Sequence, residues 1–240
     1  MQTVAGVLAA GSGRRFGSPR PKQLGLLAGR TLVEHSVAAF DQAPLVDQVL
    51  IVTTPQIAAE IAAGCAPYRK VAAIIDGGVT RADSTRAAIA WLTERAATWR
   101  PEQGTAGWKV LFHDAARPLV DQDTIARTIA ALDRWDAVGV VVPSADTIVA
   151  VADGAITRVL PRAELARCQT PQGFRLPVIA RAYERADADP GFASTAPTDD
   201  CGVVLRYLPD VPVGVVPGSD RNLKITYPGD LLVAESLLDG

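Results

Sequence analysis

The chain has 240 residues, 48% of them apolar, a size and composition that suit one α/β domain with a substantial core. A net charge of −2 and a pI near 5.7 exclude the broad basic surface of a general nucleic-acid binder, so any positive site must be local. Cys65, Cys168 and Cys201 lie far apart without paired spacing, which favours buried free thiols over a disulfide framework or a zinc site.

In chain order, Val4 to Ala9 reads as a buried parallel strand, and it runs directly into Ala10-Gly11-Ser12-Gly13-Arg14-Arg15-Phe16, followed by Pro21-Lys22-Gln23. Glycines let a backbone bend sharply and present its N–H groups, and Arg15 and Lys22 add positive charge suited to phosphate oxygens. A Walker loop would need Gly-Lys-Ser/Thr after the turn, and a dinucleotide fingerprint would need a third glycine and a later acid; neither is present. Thr31 to Phe40 has helical spacing, with Thr31 placed to cap and Glu34 three residues on. Strands are expected at Val49–Thr53, Val71–Ile75, Val110–Phe112, Ala137–Val142 and Val213–Val216. Helices are expected at Gln56–Ala63, Ser84–Glu94, Thr124–Leu132, Leu176–Arg185 and Pro228–Leu238. The polar stretch Ala97–Gly107 reads as a surface loop, Thr198 as the N-cap of a further helix, and Asn222–Thr226 as a short extended segment. Strands alternating with helices imply a mostly parallel sheet covered on both faces, with ligands at the carboxyl ends of the strands.

The rhythm breaks after Pro143. Asp146–Val151 and Ala155–Leu160 are alternating runs around Ala152-Asp153-Gly154, a strong hairpin signal. An isolated hairpin is marginally stable, so this one is expected to pack either on its own domain or on a second copy of the chain. No run reaches membrane-spanning length and no basic leader precedes the first strand, so a cytoplasmic protein that engages no membrane is expected.

The residues with chemical potential collect at strand ends: Arg15 and Lys22, then Arg81, Asp83 and Ser84, then Asp114 and Arg117, with Thr147 and Arg162 on the hairpin excursion and Lys224 near the end. This set is rich in cations and holds no Ser-His-Asp arrangement or cysteine–base pair. His35 reads as a core or surface residue and His113 as a residue that orients the Asp114 loop. Such a site suits direct displacement at phosphorus, in which the substrate's own phosphate attacks and the protein supplies position and charge.

The opening Ala-Ala-Gly-x-Gly-x-Arg…Pro-Lys resembles nucleotidyltransferases that activate phosphorylated sugars. The further motifs narrow this. Asp76-Gly77-Gly78 with Arg81-x-Asp83-Ser84, His113-Asp114-Ala115-Ala116-Arg117-Pro118, Asp146-Thr147, Gln169-Thr170-Pro171-Gln172, Thr198-Asp199-Asp200 and Asn222-Leu223-Lys224-Ile225-Thr226 are similar to those of the 2-C-methyl-D-erythritol 4-phosphate cytidylyltransferase family, in order from Val4 to about Ala234. The resemblance implies one Rossmann-like nucleotidyltransferase domain over residues 1–240, a three-layer α/β sandwich with a mostly parallel sheet, and a β-hairpin dimerisation arm at about 144–168.

It further implies CTP and 2-C-methyl-D-erythritol 4-phosphate as substrates and magnesium (Mg2+) held mainly by the CTP phosphates, with no metal ligand from the protein beyond a possible outer-shell role for Asp114. Arg15, Lys22, Arg162 and Lys224 would be catalytic. Ala9, Ala10, Gly11, Ser12, Gly13, Arg15, Lys22, Gly78, Ser84 and Ala115 would bind CTP; Asp114, Arg117, Thr147, Arg162 and Lys224 would bind the sugar phosphate. Thr147 and Arg162 would come from the neighbouring subunit of a homodimer. The chain departs from the family at Val79, where some members carry a polar residue, and at Cys201, where alanine is common. The alternatives are a cytidylyltransferase for another polyol phosphate, such as ribitol 5-phosphate, or a catalytically silent nucleotide-binding relative.

Overall fold

The computed structural model describes residues 1–11, 16–17, 20–99 and 104–238. Its first strand, β1 (Gln2–Leu8), is buried along its whole length and sits between β4 (Gln48–Thr53) and β6 (Trp108–Asp114), parallel to both. Between β1 and β4 come the small hairpin β2 (Leu26–Leu27) and β3 (Arg30–Thr31), then α1 (Leu32–Gln42). α1 begins with the expected capping box: the Thr31 hydroxyl accepts the Glu34 N–H, and the Glu34 carboxylate accepts the Thr31 N–H.

The chain continues through α2 (Pro55–Cys65), β5 (Val71–Asp76), α3 (Arg81–Trp99), α4 (Gln122–Ala131) and β7 (Ala137–Pro143). β8 (Val149–Ala152) and β9 (Ala155–Val159) form a separate two-stranded sheet, and β10 (Ala166–Arg175) returns to the main one. It ends with α5 (Leu176–Asp187), α6 (Phe192–Thr195), α7 (Asp200–Tyr207), β11 (Val213–Pro217) and α8 (Gly229–Leu238). The seven-stranded sheet has the order β11-β7-β10-β6-β1-β4-β5, with β10 antiparallel to its neighbours β6 and β7.

Alternation along the strands distributes apolar side chains to two faces. Val4, Leu8, Leu50, Val52, Phe112 and Phe174 pack beneath α3, α5 and α7 through Leu92, Ile179 and Val204. Ala5, Val7, Val49, Ile51 and Leu111 face α1, α2 and α4 through Val37, Ile61 and Ile129. The result is helix, sheet and helix in three layers. Gly6 in β1 lies so close to Phe112 that a Cβ there would stand 2.9 Å from the ring, so this central strand admits no side chain at that point.

Four expectations need correction. α3 runs through Trp99, into the stretch expected to be a loop, because Ala88, Leu92 and Ala96 continue its buried stripe and Trp99 meets Trp108 edge-on at 6.0 Å. β10 is a strand that the sequence pattern does not announce: Pro171 and Gly173 interrupt it, and its buried Gln169, Thr170 and Gln172 are polar. The N-cap of α7 is Asp199, whose carboxylate accepts the Gly202 N–H at 2.8 Å, rather than Thr198. Cys65 and Cys201 are buried as expected, whereas Cys168 is exposed.

The hairpin of β8 and β9 turns through Asp153 (φ 49°) and Gly154 (φ 77°), the left-handed pair that a two-residue type I′ turn requires. It protrudes within the stretch assigned to an arm. Among the described residues no helix is long and apolar enough to cross a membrane.

Candidate active site

The parallel strands β1, β4, β5 and β6 end on one side of the sheet, and the segments leaving them meet there. A cavity of about 460 Å³ is lined there by Ala10 and Gly11 after β1, by Asp114 and Ala116 at the end of β6, and by Thr80, Arg81 and Ser84 at the start of α3. Lys22 and Gln23, Lys224 and Thr226, and the apolar Leu8 and Val79 complete the lining. A second cavity of about 370 Å³ adjoins it, sharing Ala10, Gly11 and Val79, and adds Ala9, Thr54, Gly77 and Gly78.

Backbone geometry shapes the floor between the two. A Cβ on Gly78 would fall 2.1 Å from that of Asp83, and one on Gly77 would fall 2.7 Å from both the Ala10 Cβ and the Ser84 Oγ. Side chains there would push the start of α3 away from the end of β1. That helix start is locked by a reciprocal cap, Thr80 Oγ1 accepting from the Asp83 N–H at 3.1 Å and Asp83 accepting from the Thr80 N–H at 3.0 Å. Ser84 Oγ accepts from the Gly78 N–H at 3.3 Å and donates to the Thr80 carbonyl at 3.1 Å.

Among the described residues, the cavity lining is cationic around a single acid. Asp114 Oδ1 accepts from Arg81 Nε at 3.2 Å, and its Oδ2 accepts from Lys224 Nζ at 2.6 Å. Burial alone would raise the Asp114 pKa, but Arg81 and Lys224, with Arg117 behind them, hold it well below the usual carboxylate range. Arg81 also pairs through Nη1 with the fully buried Asp200 at 2.8 Å. Burial opposes its charge, but Asp200 and Asp114 outweigh that and raise its pKa. Lys22 Nζ donates to the Ile225 carbonyl at 2.7 Å, which ties the short helical turn Lys22–Leu24 to the segment carrying Lys224. Gln23 donates to the Gly11 carbonyl.

Behind this surface, His113 is wholly buried: its two ring nitrogens meet Thr170 Oγ1 at 3.0 Å and the Arg117 carbonyl at 3.0 Å. Thr170 Oγ1 also accepts from the Asp114 N–H at 3.1 Å, so His113 holds the turn that carries Asp114. Burial is the main reason its pKa is lowered to about 4. His35 is buried in α1 with its Nε2 at 2.7 Å from the Leu27 carbonyl.

The structure therefore brings Ala10, Gly11, Lys22, Ser84, Asp114 and Lys224 to one cavity, with Ala9 and Gly78 at its neighbour. Ser12, Gly13 and Arg15 lie outside the described residues. Ala115 is fully buried, its N–H bonded to the Leu8 carbonyl and its carbonyl to Ser36 Oγ; Ala116 lines the cavity in its place. Arg117 lies behind the lining and staples β10 to the Asn222 turn, donating to the Asn222 carbonyl at 2.8 Å and the Cys168 carbonyl at 3.2 Å. Thr147 and Arg162 are exposed on the arm and line neither cavity of this protomer; Arg162 donates to the Ala145 carbonyl at 3.1 Å.

Sequence reasoning collects Arg81 as a strand-end cation without giving it a role, and reads Asp200 only as a first-turn acid. A buried partner pair at positions 81 and 200 leaves no local signal. Among the described residues no group of three or more His, Cys, Asp or Glu side chains is arranged to hold a metal ion.

The model of the 2-C-methyl-D-erythritol 4-phosphate cytidylyltransferase family, IspD, matches residues 3–240. The enzyme of that name from Thermobifida fusca is 48% identical, the alignment covering 99% of this chain and 93% of the relative. The bifunctional ribulose 5-phosphate reductase/CDP-ribitol pyrophosphorylase of Haemophilus influenzae is 38% identical over 96% of this chain and 47% of its own length. Among solved structures, the 2-C-methyl-D-erythritol 4-phosphate cytidylyltransferase of Thermus thermophilus is 30% identical with a TM-score of 0.73, covering 100% of both chains. The 4-diphosphocytidyl-2C-methyl-D-erythritol synthase of Anaerococcus prevotii is 26% identical with a TM-score of 0.82, over 100% of this chain and 99% of that one. With the fold, the strand-end cavity and the family match in agreement, the chain belongs to the 2-C-methyl-D-erythritol 4-phosphate cytidylyltransferase family.

Proposed function

We propose that this chain transfers the cytidylyl group of CTP to 2-C-methyl-D-erythritol 4-phosphate in the non-mevalonate route to isoprenoids. A phosphate oxygen of the acceptor attacks the α-phosphorus, the bond to the bridging oxygen of the β-phosphate breaks, and pyrophosphate leaves. The observation that carries this reading is the placement of Lys22 and Lys224 in the lining of one cavity, together with Ala10 and Gly11 after β1. Two such cations around one cavity serve a reaction whose transition state carries charge on the attacking, transferred and departing phosphates together.

In this reading Lys22, with Arg15, neutralises charge growing on the triphosphate, and the amides of residues 11–13 contribute donors. Lys224 holds the attacking phosphate, and Asp114 and Arg117 belong to the sugar-phosphate side. Gly78 and Ser84 hold the nucleoside, in the pair of adjoining cavities, with Ala116 in the lining where Ala115 is buried.

Asp114 is the carboxylate of the cavity lining, and both its oxygens are held by cations. That donor set fits magnesium held by the triphosphate and its own waters, with Asp114 reached only through water, rather than magnesium in a protein cage. Bound there, the ion supplies positive charge to the departing pyrophosphate.

The arm completes the site in a homodimer. Its Val151, Ile156 and Val159 are 63%, 67% and 62% exposed, an apolar surface that the protomer leaves uncovered. Thr147 and Arg162 reach the partner's acceptor site from it.

Pyrophosphate release, with CTP, UTP, ATP and GTP each crossed against 2-C-methyl-D-erythritol 4-phosphate and ribitol 5-phosphate, tests the reading. Turnover confined to CTP with methylerythritol phosphate is expected. A preference for ribitol phosphate, the chemistry named for the Haemophilus relative, would replace the acceptor and keep the mechanism. Absence of turnover from folded protein that binds CTP would point to a silent relative.

A further inference from the structure

Arg81 is the residue on which several distant parts of the fold converge. It is the first residue of α3, and its guanidinium reaches the end of β6 through Asp114 and the start of α7 through Asp200. Asp200 is fully buried and accepts from the Tyr183 hydroxyl of α5 at 2.7 Å, while its own N–H donates to Gln172 Oε1 of β10 at 3.0 Å. On the other side, the Asp114 oxygen that Arg81 leaves free accepts from Lys224 at 2.6 Å. A chain of contacts therefore runs Tyr183–Asp200–Arg81–Asp114–Lys224, from the core to the cavity.

Charge and geometry distinguish this from an ordinary structural ion pair. Two carboxylates, Asp114 and Asp200, face two cations, Arg81 and Lys224, so the four are balanced only while Arg81 is present. Without it, Asp200 would lose its ion-pair partner, and Asp114 would lose the contact that fixes the carboxylate on which the Lys224 ammonium rests. Arg81 uses different nitrogens for its two acids, a fork that a lysine ammonium cannot reproduce at two sites at once. The remaining nitrogen, Nη2, is buried with no hydrogen-bond partner among the described residues, spare donor capacity unusual in a purely structural pair.

We propose that Arg81 is a positioning residue for the acceptor side of the reaction: anchored by Asp200, it fixes the Asp114 carboxylate and through it the stance of the Lys224 ammonium. The inference rests on the assignment of Lys224 to the attacking phosphate. It gives Asp200 and Tyr183, both remote from the cavity lining, a graded influence on acceptor use.

The test separates positioning from folding. Arg81→Gln alone leaves Asp200 buried without its cation and is expected to be unstable. Arg81→Gln combined with Asp200→Asn removes charge from both members of the buried pair and should fold. The double variant is expected to lose about 100-fold in kcat/KM for methylerythritol phosphate, the scale of a small misplacement of reacting groups, while KM for CTP changes less than about twofold. Asp200→Asn alone, which keeps the Arg81–Asp114 contact, should stay within about threefold of the parent. Arg81→Lys should fold and recover only part of the activity.

A folded double variant with parental kcat/KM for the acceptor, or one that loses CTP and acceptor use equally, overturns the proposal. If the double variant does not fold, parental activity in Arg81→Lys overturns it equally. The parent enzyme measured alongside keeps the two readings apart: parental inactivity with methylerythritol phosphate counts against the assigned substrate, whereas an active parent with an unaffected Arg81 variant counts only against Arg81.

Discussion

The cavity and the arm are built on opposite plans. Around the cavity the charged groups are held by partners from distant parts of the chain: Asp114 by Arg81 and Lys224, Asp200 by Arg81 and Tyr183, and the Lys22 ammonium by the Ile225 carbonyl. The arm is held by its own turn and ladder, and its apolar side chains stand in the open. One region is pre-organised before any ligand arrives, so its charges need not reorganise as the reaction proceeds. The other leaves an apolar surface uncovered, and in the homodimer proposed above its contribution comes through a second copy.

The sharpest way to break this contrast is at Lys22. Lys22→Ala should lower kcat by about 10³-fold, the scale of removing one preorganised charge partner from a transition state, with the fold intact. Steady-state kinetics beside a thermal melt checks it; a loss under about tenfold would move the chemistry away from this side of the cavity.

The buried support of the cavity can be read through pH. The folded-state pKa of His113 is about 4 against an ordinary 6.5, so the folded protein binds fewer protons there than the unfolded chain. Stability is therefore complete above pH 6.5 and falls as pH drops toward 4, by up to about 3 kcal/mol for a shift of that size. Urea denaturation at about pH 7 and about pH 5 measures the slope, and His113→Gln should flatten it. An unchanged slope in that variant would mean that other groups set the acid sensitivity.

At the arm, Arg162→Ala should cost about 10²-fold in kcat/KM for the acceptor, without unfolding. Mixing it with Lys22→Ala should restore about a quarter of parental activity, because half the dimers are then mixed and each has one intact composite site. No rescue after verified subunit exchange would show that the arm serves its own protomer.

The smallest effect is expected on the apolar face itself. Ile156→Asp should leave protomer stability within about 0.5 kcal/mol, as exposed positions usually do, while shifting sedimentation from dimer toward monomer. A large loss of protomer stability instead would mean that the arm folds back on its own domain.

Much of the scaffold was legible because it is written within short windows. The Thr31–Glu34 capping box, the Asp153–Gly154 turn and the strand–helix alternation each depend on residues a few positions apart, and each appears where expected. The motif order points to the family; Lys22 and Asp114 are collected from residue type and placement after predicted strands, and Lys224 takes its role from the family motif around it. β10 escapes because its buried glutamines and threonine are satisfied by Asn222, His113 and the amides of residues 200 and 201, partners no local pattern reveals.

By itself, then, the sequence determined the layered α/β plan, the hairpin and the supply of cations at strand ends, since backbone propensity and hydrophobic period act locally. Only the tertiary structure decided which charges meet. Arg81 finds Asp114 and Asp200, and Lys224 finds Asp114, because β6 lies beside β1 and β10 is inserted against it, bringing α3, α7 and the 222–226 segment to one end of the sheet. The energies of those encounters depend on distance and burial, which strand order sets and separation along the chain does not.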